Sequence, residues 1–107
     1  MSLQNRLELQ EKLEAFLGSE EVYYQPPANV RMAYPAIVYH RDRIAAEHAN
    51  NRIYKTTTKY EITIIGTDPD DELVERFLES FGAYCSMDRQ FISDGLYHWC
   101  FSLYYKN

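Results

Sequence analysis

The sequence predicts an α+β fold in one domain, with a mainly antiparallel sheet of four or five strands packed by two helices. Two observations predict it: helical patterns occur only before and between strand patterns, and the strand patterns are mostly joined by short connections. A chain of 107 residues has room for a single core, so we expect one domain over residues 1–107. The expected order is helix, strand, strand, strand, helix, strand, strand.

The first element is an amphipathic helix between Leu3 and Leu17. Leu9, Leu13 and Leu17 recur at helical spacing, and acidic residues occupy the other side. Gly18 follows at the position where a helix C-cap favours glycine. The helix is therefore expected to end there.

Two extended segments follow the helix. Residues 22–25 form a short strand that is closed by Pro26 and Pro27, which lack the N–H groups that a strand ladder needs. This strand therefore belongs at an edge or beside a loop. The next strand begins after Pro35 and covers residues 36–40.

Residues 41–52 are polar and show no clear period. This pattern predicts a long exposed loop, and loops of that length in small domains often contact a partner. An ordinary extended hairpin tip is the alternative.

The third strand covers residues 55–65, where apolar and polar side chains alternate until Gly66. A second helix is then expected to open with Asp68 as its N-cap and Pro69 in its first position. Its end is expected at Gly82. The apolar stripe of this helix consists of Leu73, Val74, Phe77, Leu78 and Phe81.

The last two strands form a hairpin in which Asp94-Gly95 is the two-residue turn. Counting outward from this turn places Cys100 opposite Arg89, not opposite Cys85, so we expect two free thiols. The final strand is predicted to be large and apolar on both faces, so its second face would need cover from a partner or another copy. One face carries Tyr97, Trp99, Phe101, Leu103 and Tyr105, and the other carries Leu96, His98, Cys100, Ser102 and Tyr104.

Composition and motifs argue against enzyme activity and against nucleic-acid binding. The formal net charge is −5, and no cluster of Lys and Arg is present to bind nucleic acid. No pair of histidines has metal-ligand spacing, and no phosphate loop or nucleophile motif occurs. We therefore expect no enzyme activity, no metal, no cofactor and no sequence-specific nucleic acid. The dense carboxylate cluster at residues 68–72 is explained by helix capping, while a metal-dependent nuclease is the alternative.

No apolar run is long enough to span a bilayer, and the N-terminus has no signal-peptide core. The sequence therefore predicts a cytosolic chain without membrane contact. Its 15% aromatic content, with ten tyrosines, suits either a subunit interface or a sheet that has one face exposed to solvent.

Several segments together resemble the small tail-completion or tail-terminator proteins of long-tailed phages and prophages. The matching segments are VYYQPP at residues 22–27, YPAIVYHRD at 34–42, ANNRIY at 49–54, residues 60–70, and Asp88-Arg89 followed by residues 98–105. The resemblance implies a structural head–tail joining protein that forms a ring, commonly of six subunits. Its partners would be its own copies, the tail-tube protein and the head connector or stopper protein. It would occupy the bacterial cytoplasm during assembly and the virion tail or head–tail junction afterwards.

The resemblance also implies where the contacts lie. The segment from residue 41 to 52 would reach toward neighbours, and the last strand would belong to the sheet through which subunits pack. The interface candidates are Arg41, Asp42, Arg43, Glu47, His48, Asn50, Asn51, Arg52, Asp88, Arg89, His98, Cys100 and Tyr104. The alternative function from another class is a stand-alone regulatory or ligand-binding α+β module with a pocket on the second aromatic face.

Overall fold

A computed structural model describes residues 3–49 and 52–106, and it places two helices against a five-stranded sheet. The α+β class and the predicted order of helices and strands are confirmed. The elements are α1 (Leu3–Leu17), β1 (Val22–Tyr24), β2 (Ala36–Ala49), β3 (Arg52–Gly66), α2 (Leu73–Phe81), a short 3₁₀ helix (Gly82–Tyr84), β4 (Cys85–Ser93) and β5 (Leu96–Lys106).

The strands lie in the order β1-β2-β3-β5-β4, and only β1 and β2 run parallel. The mainly antiparallel sheet is therefore confirmed, with β2, β3 and β5 in its interior and β1 and β4 at its edges. An edge position suits β1, because Pro26 and Pro27 follow one residue after its end and cannot extend the ladder.

Both helices pack on one face of this sheet. Alternate side chains of β2, β3 and β5 point toward them, as the period of two in a strand requires. The buried core consists of Leu9, Leu13, Val22, Ile37, Tyr39, Tyr60, Ile62, Ile64, Leu73, Phe77, Trp99, Phe101 and Leu103. Aromatic rings connect its layers: the Phe77 centroid lies 5.4 Å from that of Phe16 on α1 and 4.8 Å from that of Phe101 on β5.

The opposite face of the sheet, called here the open face, has no helix against it in the described part of the chain. On this face of β5, Cys100 is 2% exposed and Ser102 is 4% exposed, whereas Tyr104 remains exposed. Cys100 and Ser102 are small and lie between the flanking strands β3 and β4. The strand is thus buried on both faces at these two positions, but neighbours in its own sheet provide the cover.

The prediction of an exposed loop at residues 41–52 is wrong for the residues that the structure describes. β2 continues to Ala49 and β3 begins at Arg52, so the segment belongs to a long hairpin, as the alternative proposed. A strand without a buried face need not alternate apolar and polar residues, which removes the signal that would have predicted it. A β-bulge at Asp42 also interrupts the register of β2. Asn50 and Asn51 lie outside the described residues.

The predicted start of the second helix is also wrong, because α2 begins at Leu73. The carboxylate of Asp68 accepts a hydrogen bond from the N–H of Asp70 at 2.9 Å, and that of Asp71 accepts one from the N–H of Leu73 at 3.0 Å. Such local bonds of aspartate stabilise turns in competition with the helix, so two turns precede α2. Glu72, not Asp68, occupies the N-cap position.

The predicted helix ends, the hairpin turn and the two free cysteines are confirmed. α1 ends before Gly18, whose φ of +76° is the left-handed conformation that glycine adopts easily, and α2 ends before Gly82. Asp94 and Gly95 both have positive φ, as a two-residue hairpin turn requires, and Cys100 lies opposite Arg89. Both cysteines are free.

Candidate functional site

The β2–β3 hairpin is longer than the β4–β5 hairpin. We call residues 41–49 and 52–59 the hairpin arm. The pairing of β3 with β5 begins only at Thr57, so within the described residues the outer part of the arm has no third strand. At about 3.3 Å per residue, the 15 residues of β3 span about 50 Å, which matches the longest dimension of the molecule, 51 Å.

The base of the arm is fixed by one ion pair on the open face. Lys59 Nζ lies 3.0 Å from Asp42 Oδ2 across the β-bulge. The hydrogen bond from Lys59 lowers the pKa of Asp42, and the same bond raises the pKa of Lys59. Both groups therefore stay charged over the neutral range, and the bulged residue has a partner.

A second bulge lies on β4, at Asp88. Its Oδ2 accepts a hydrogen bond of 2.6 Å from the Ser102 hydroxyl. Glu61 pairs with Ser102 across the β3–β5 ladder, and its pKa is raised, first by burial and then by the charge of Asp88. The centre of the open face thus concentrates negative charge beside a small, buried hydroxyl.

The edge of the open face next to β4 is aromatic and cationic. The rings of Phe91 and His98 stack with centroids 4.6 Å apart, and the guanidinium of Arg89 lies 5.2 Å from the Phe91 centroid. Phe91 is partly exposed. A flat stack of this kind, with an exposed ring and a neighbouring cation, is a surface that another protein can cover.

The structure distributes the predicted interface residues over two regions. Two of them are bulged residues with local partners, Asp42 and Asp88, while Cys100 lies within the sheet and offers little surface. The arm carries Arg41, Asp42, Arg43, Glu47, His48 and Arg52, of which the side chains of Glu47 and His48 are not described. The open face carries Asp88, Arg89, His98, Cys100 and Tyr104.

Two of the surface grooves in the described part of the chain bear on function and were not predicted from the sequence. The larger one, of about 1190 Å³, lies where α1, the end of α2 and the 3₁₀ helix meet the end of β5, and Phe16, Phe81 and Leu103 contribute to its lining. At its rim Tyr105 donates a hydrogen bond of 2.7 Å to Glu8 on α1. Both sides of this groove come from elements far apart in sequence, so no local pattern signals it.

The smaller groove lies beside the turn of the β4–β5 hairpin and has a volume of about 330 Å³. We call it the end groove. Ile92, beside it on the edge strand, is 66% exposed, an unusual exposure for a large apolar side chain. The adjacent apolar pair Phe91-Ile92 in an edge strand was the available sequence signal. The groove is lined by Pro69, Gln90, Phe91, Ile92, Tyr97 and Trp99.

Among the residues that the structure describes, no group of three or more His, Cys, Asp or Glu side chains could hold a metal ion. No helix in this part of the chain is long and apolar enough to cross a membrane.

Comparison of the chain with known proteins finds no family model that matches it and no similar sequence among curated proteins.

Proposed function

We propose that this chain is a structural subunit of a phage or prophage tail, resembling a tail-terminator or tail-completion protein. It would assemble into a ring at the head–tail junction, with the tail-tube protein and the head connector or stopper protein as neighbours. The sequence resemblance motivates this role, and the observation that carries it in the structure is the hairpin arm.

The stability of the arm is the physical basis of this proposal. A two-stranded ribbon is at most marginally stable in water, since it has no third strand or helix to bury a face. In the outer arm, residues such as Ala46 pair across the hairpin with β3, and within the described residues β3 pairs with β5 only from Thr57 onward. A ribbon of this length therefore gains most of its order by contacting another molecule, which is the behaviour expected of an assembly subunit.

The open face supports the same proposal. Its centre is filled by small and polar side chains, and its edge presents the Phe91–His98 stack with Arg89 beside it. An interface of about 800 Å² per partner, the usual size for a specific contact, fits on such a face. Ring contacts of this kind require no catalytic group.

The test is assembly with and without the arm. In an arm-shortened variant, residues 47–55 are replaced by Asn-Gly, which closes the hairpin between the paired residues Ala46 and Thr56. Sedimentation velocity over a concentration series, with and without a tail-tube protein, should show a ring for the wild type at high concentration or on tubes. The shortened variant should keep the circular dichroism spectrum of a folded chain but stay monomeric.

Glu11→Lys, an exposed charge change on α1 outside the arm, is the control and should assemble normally. A wild-type chain that stays monomeric at every concentration and also on tail tubes would refute the proposal. Equal assembly of the arm-shortened variant would remove the arm as its basis.

A stand-alone ligand-binding module is the second candidate, and the groove of about 1190 Å³ between the helices and β5 favours it. Typical small-molecule sites have volumes of about 300–1,000 Å³, so this groove is large enough to hold a ligand of that class. Native mass spectrometry of the purified chain tests this function. A bound apolar molecule that is lost in Ala83→Arg, at an exposed position of the groove lining, would favour the module over the ring.

A further inference from the structure

We propose that the hairpin arm of one copy docks into the end groove of the next copy, so that copies join head to tail. This inference rests on the proposed ring and names the two surfaces that form its contact. It is derived from the placement of charge and apolar surface at the two ends of the molecule.

The two surfaces lie at opposite ends of the long axis. β3 begins in the arm at Arg52 and ends at Gly66, where it pairs with Tyr97 beside the β4–β5 turn. Since β3 spans about the whole long dimension, the arm cannot reach the end groove of its own chain. The surfaces can therefore meet only between copies.

Charge makes the two ends complementary. The loop after Gly66 holds four carboxylates and no base within residues 67–72. The arm holds five bases and two acids, and one of these acids, Asp42, is paired with Lys59. Unlike charges at facing surfaces guide encounter and fix the register of docking. Two like ends would repel each other, which disfavours tail-to-tail pairing.

The acidic loop and the end groove form one continuous surface. A Cβ atom placed on Gly66 would lie 3.4 Å from the Trp99 ring and 3.5 Å from the Asp71 carboxylate, so Trp99 and Asp71 are near neighbours there. Pro69 from the same loop lines the groove. The groove thus offers an apolar floor with negative charge on one side.

The arm offers the matching apolar contact. Ile44 is 45% exposed at the start of the arm, and Arg43 next to it is exposed. The exposed Ile92 gives the groove an apolar side chain that another molecule can cover. Burying large apolar side chains from both copies supplies affinity, while the charges supply direction. A head-to-tail contact between unlike surfaces closes into a ring when the rotation per copy permits it.

Charge reversal and charge exchange test the contact. An arm variant carries Arg43→Glu and Arg52→Glu, and an end variant carries Asp70→Lys and Glu72→Lys. Each variant alone should weaken self-association by about tenfold. Each variant reverses two charges, and one exposed ion pair changes an association constant by up to about a few-fold. An equimolar mixture should recover it, because every arm then meets an end of opposite charge. The measurement is sedimentation equilibrium at low salt, with melting curves to verify that each variant is folded.

A photo-crosslinking residue at position 52 supplies the geometric test, and it should join peptides that contain residues 67–72 or 90–97. Glu11→Lys and Arg31→Glu, both at exposed positions outside the arm and the end groove, are the matched controls and should not change association. Unchanged association of both reversal variants, or a mixture that fails to recover, would overturn the docking. In that case a wild-type ring on tail tubes would leave the proposed function standing. Charge-exchangeable association into open chains, with no closed ring at high concentration or on tail tubes, would support the docking and overturn the proposed function.

Discussion

Phe77 on α2 is the residue through which the two helices and the sheet are most directly joined. Its ring is fully buried, and its centroid lies 4.7 Å from that of Phe81, 4.8 Å from that of Phe101 and 5.4 Å from that of Phe16. Truncation of a buried phenylalanine to alanine costs about 3–5 kcal/mol, because the ring is lost from the core and a cavity remains. The free energy of unfolding of a domain is only about 5–15 kcal/mol. Phe77→Ala should therefore remove about a fifth or more of the stability.

Urea denaturation measures this change, with the fluorescence of the chain's single tryptophan, the buried Trp99, as the probe. Phe77→Leu keeps an apolar side chain of similar bulk and should recover more than half of the loss. Tyr84→Ala, at a position 61% exposed, is the control and should change the free energy of unfolding by about 0.5 kcal/mol or less. A loss below about 1 kcal/mol for Phe77→Ala would refute the central place given to this ring.

Three further predictions concern single groups. Tyr39→Phe removes the hydrogen bond of 2.5 Å to Gln10 Oε1 and should cost about 1 kcal/mol in urea denaturation. Burial raises the pKa of Glu61 above its ordinary 4.5, so its stabilising effect is present below that value and is lost as pH rises through the folded pKa. Glu61→Gln should therefore raise the free energy of unfolding at pH 7, and a decrease there would contradict this reasoning. Burial also raises the pKa of Cys85 to about 11, so iodoacetamide at pH 8 should alkylate it at least about tenfold more slowly than in the urea-unfolded chain, as mass spectrometry would show.

The parts of the fold predicted correctly from sequence are those that local chemistry determines. A two-residue turn at Asp94-Gly95 sets the register of the whole β4–β5 hairpin, so Cys100 falls opposite Arg89 and no disulfide forms. The helix ends at Gly18 and Gly82 follow from the same kind of local preference. The spacing of apolar residues and the positions of glycine and proline also predicted the order of elements and the fold class correctly.

The errors arose where two local signals compete or where no face is buried. Asp68 is a good helix cap in isolation, but an aspartate can also close a turn, and the second bond at Asp71 moves the start of α2 to Leu73. The choice between these two structures depends on which start lets Leu73 and Phe77 reach the core, and only the assembled structure contains that information. The larger groove was beyond sequence reasoning for a related reason, since its walls come from elements distant in the chain.

The stability of the fold and the proposed assembly depend on different parts of the molecule. The core around Phe77 holds the helices to the sheet, whereas Ile92 and the described outer-arm side chains of Ala46 and Arg52 are exposed. Substitutions in the core should therefore lower the free energy of unfolding, while substitutions at exposed positions of the arm or of the end groove should change association and leave unfolding almost unaltered. If shortening the arm destabilised the chain as much as Phe77→Ala does, the arm would be part of the folding unit. Its length would then need no partner to explain it.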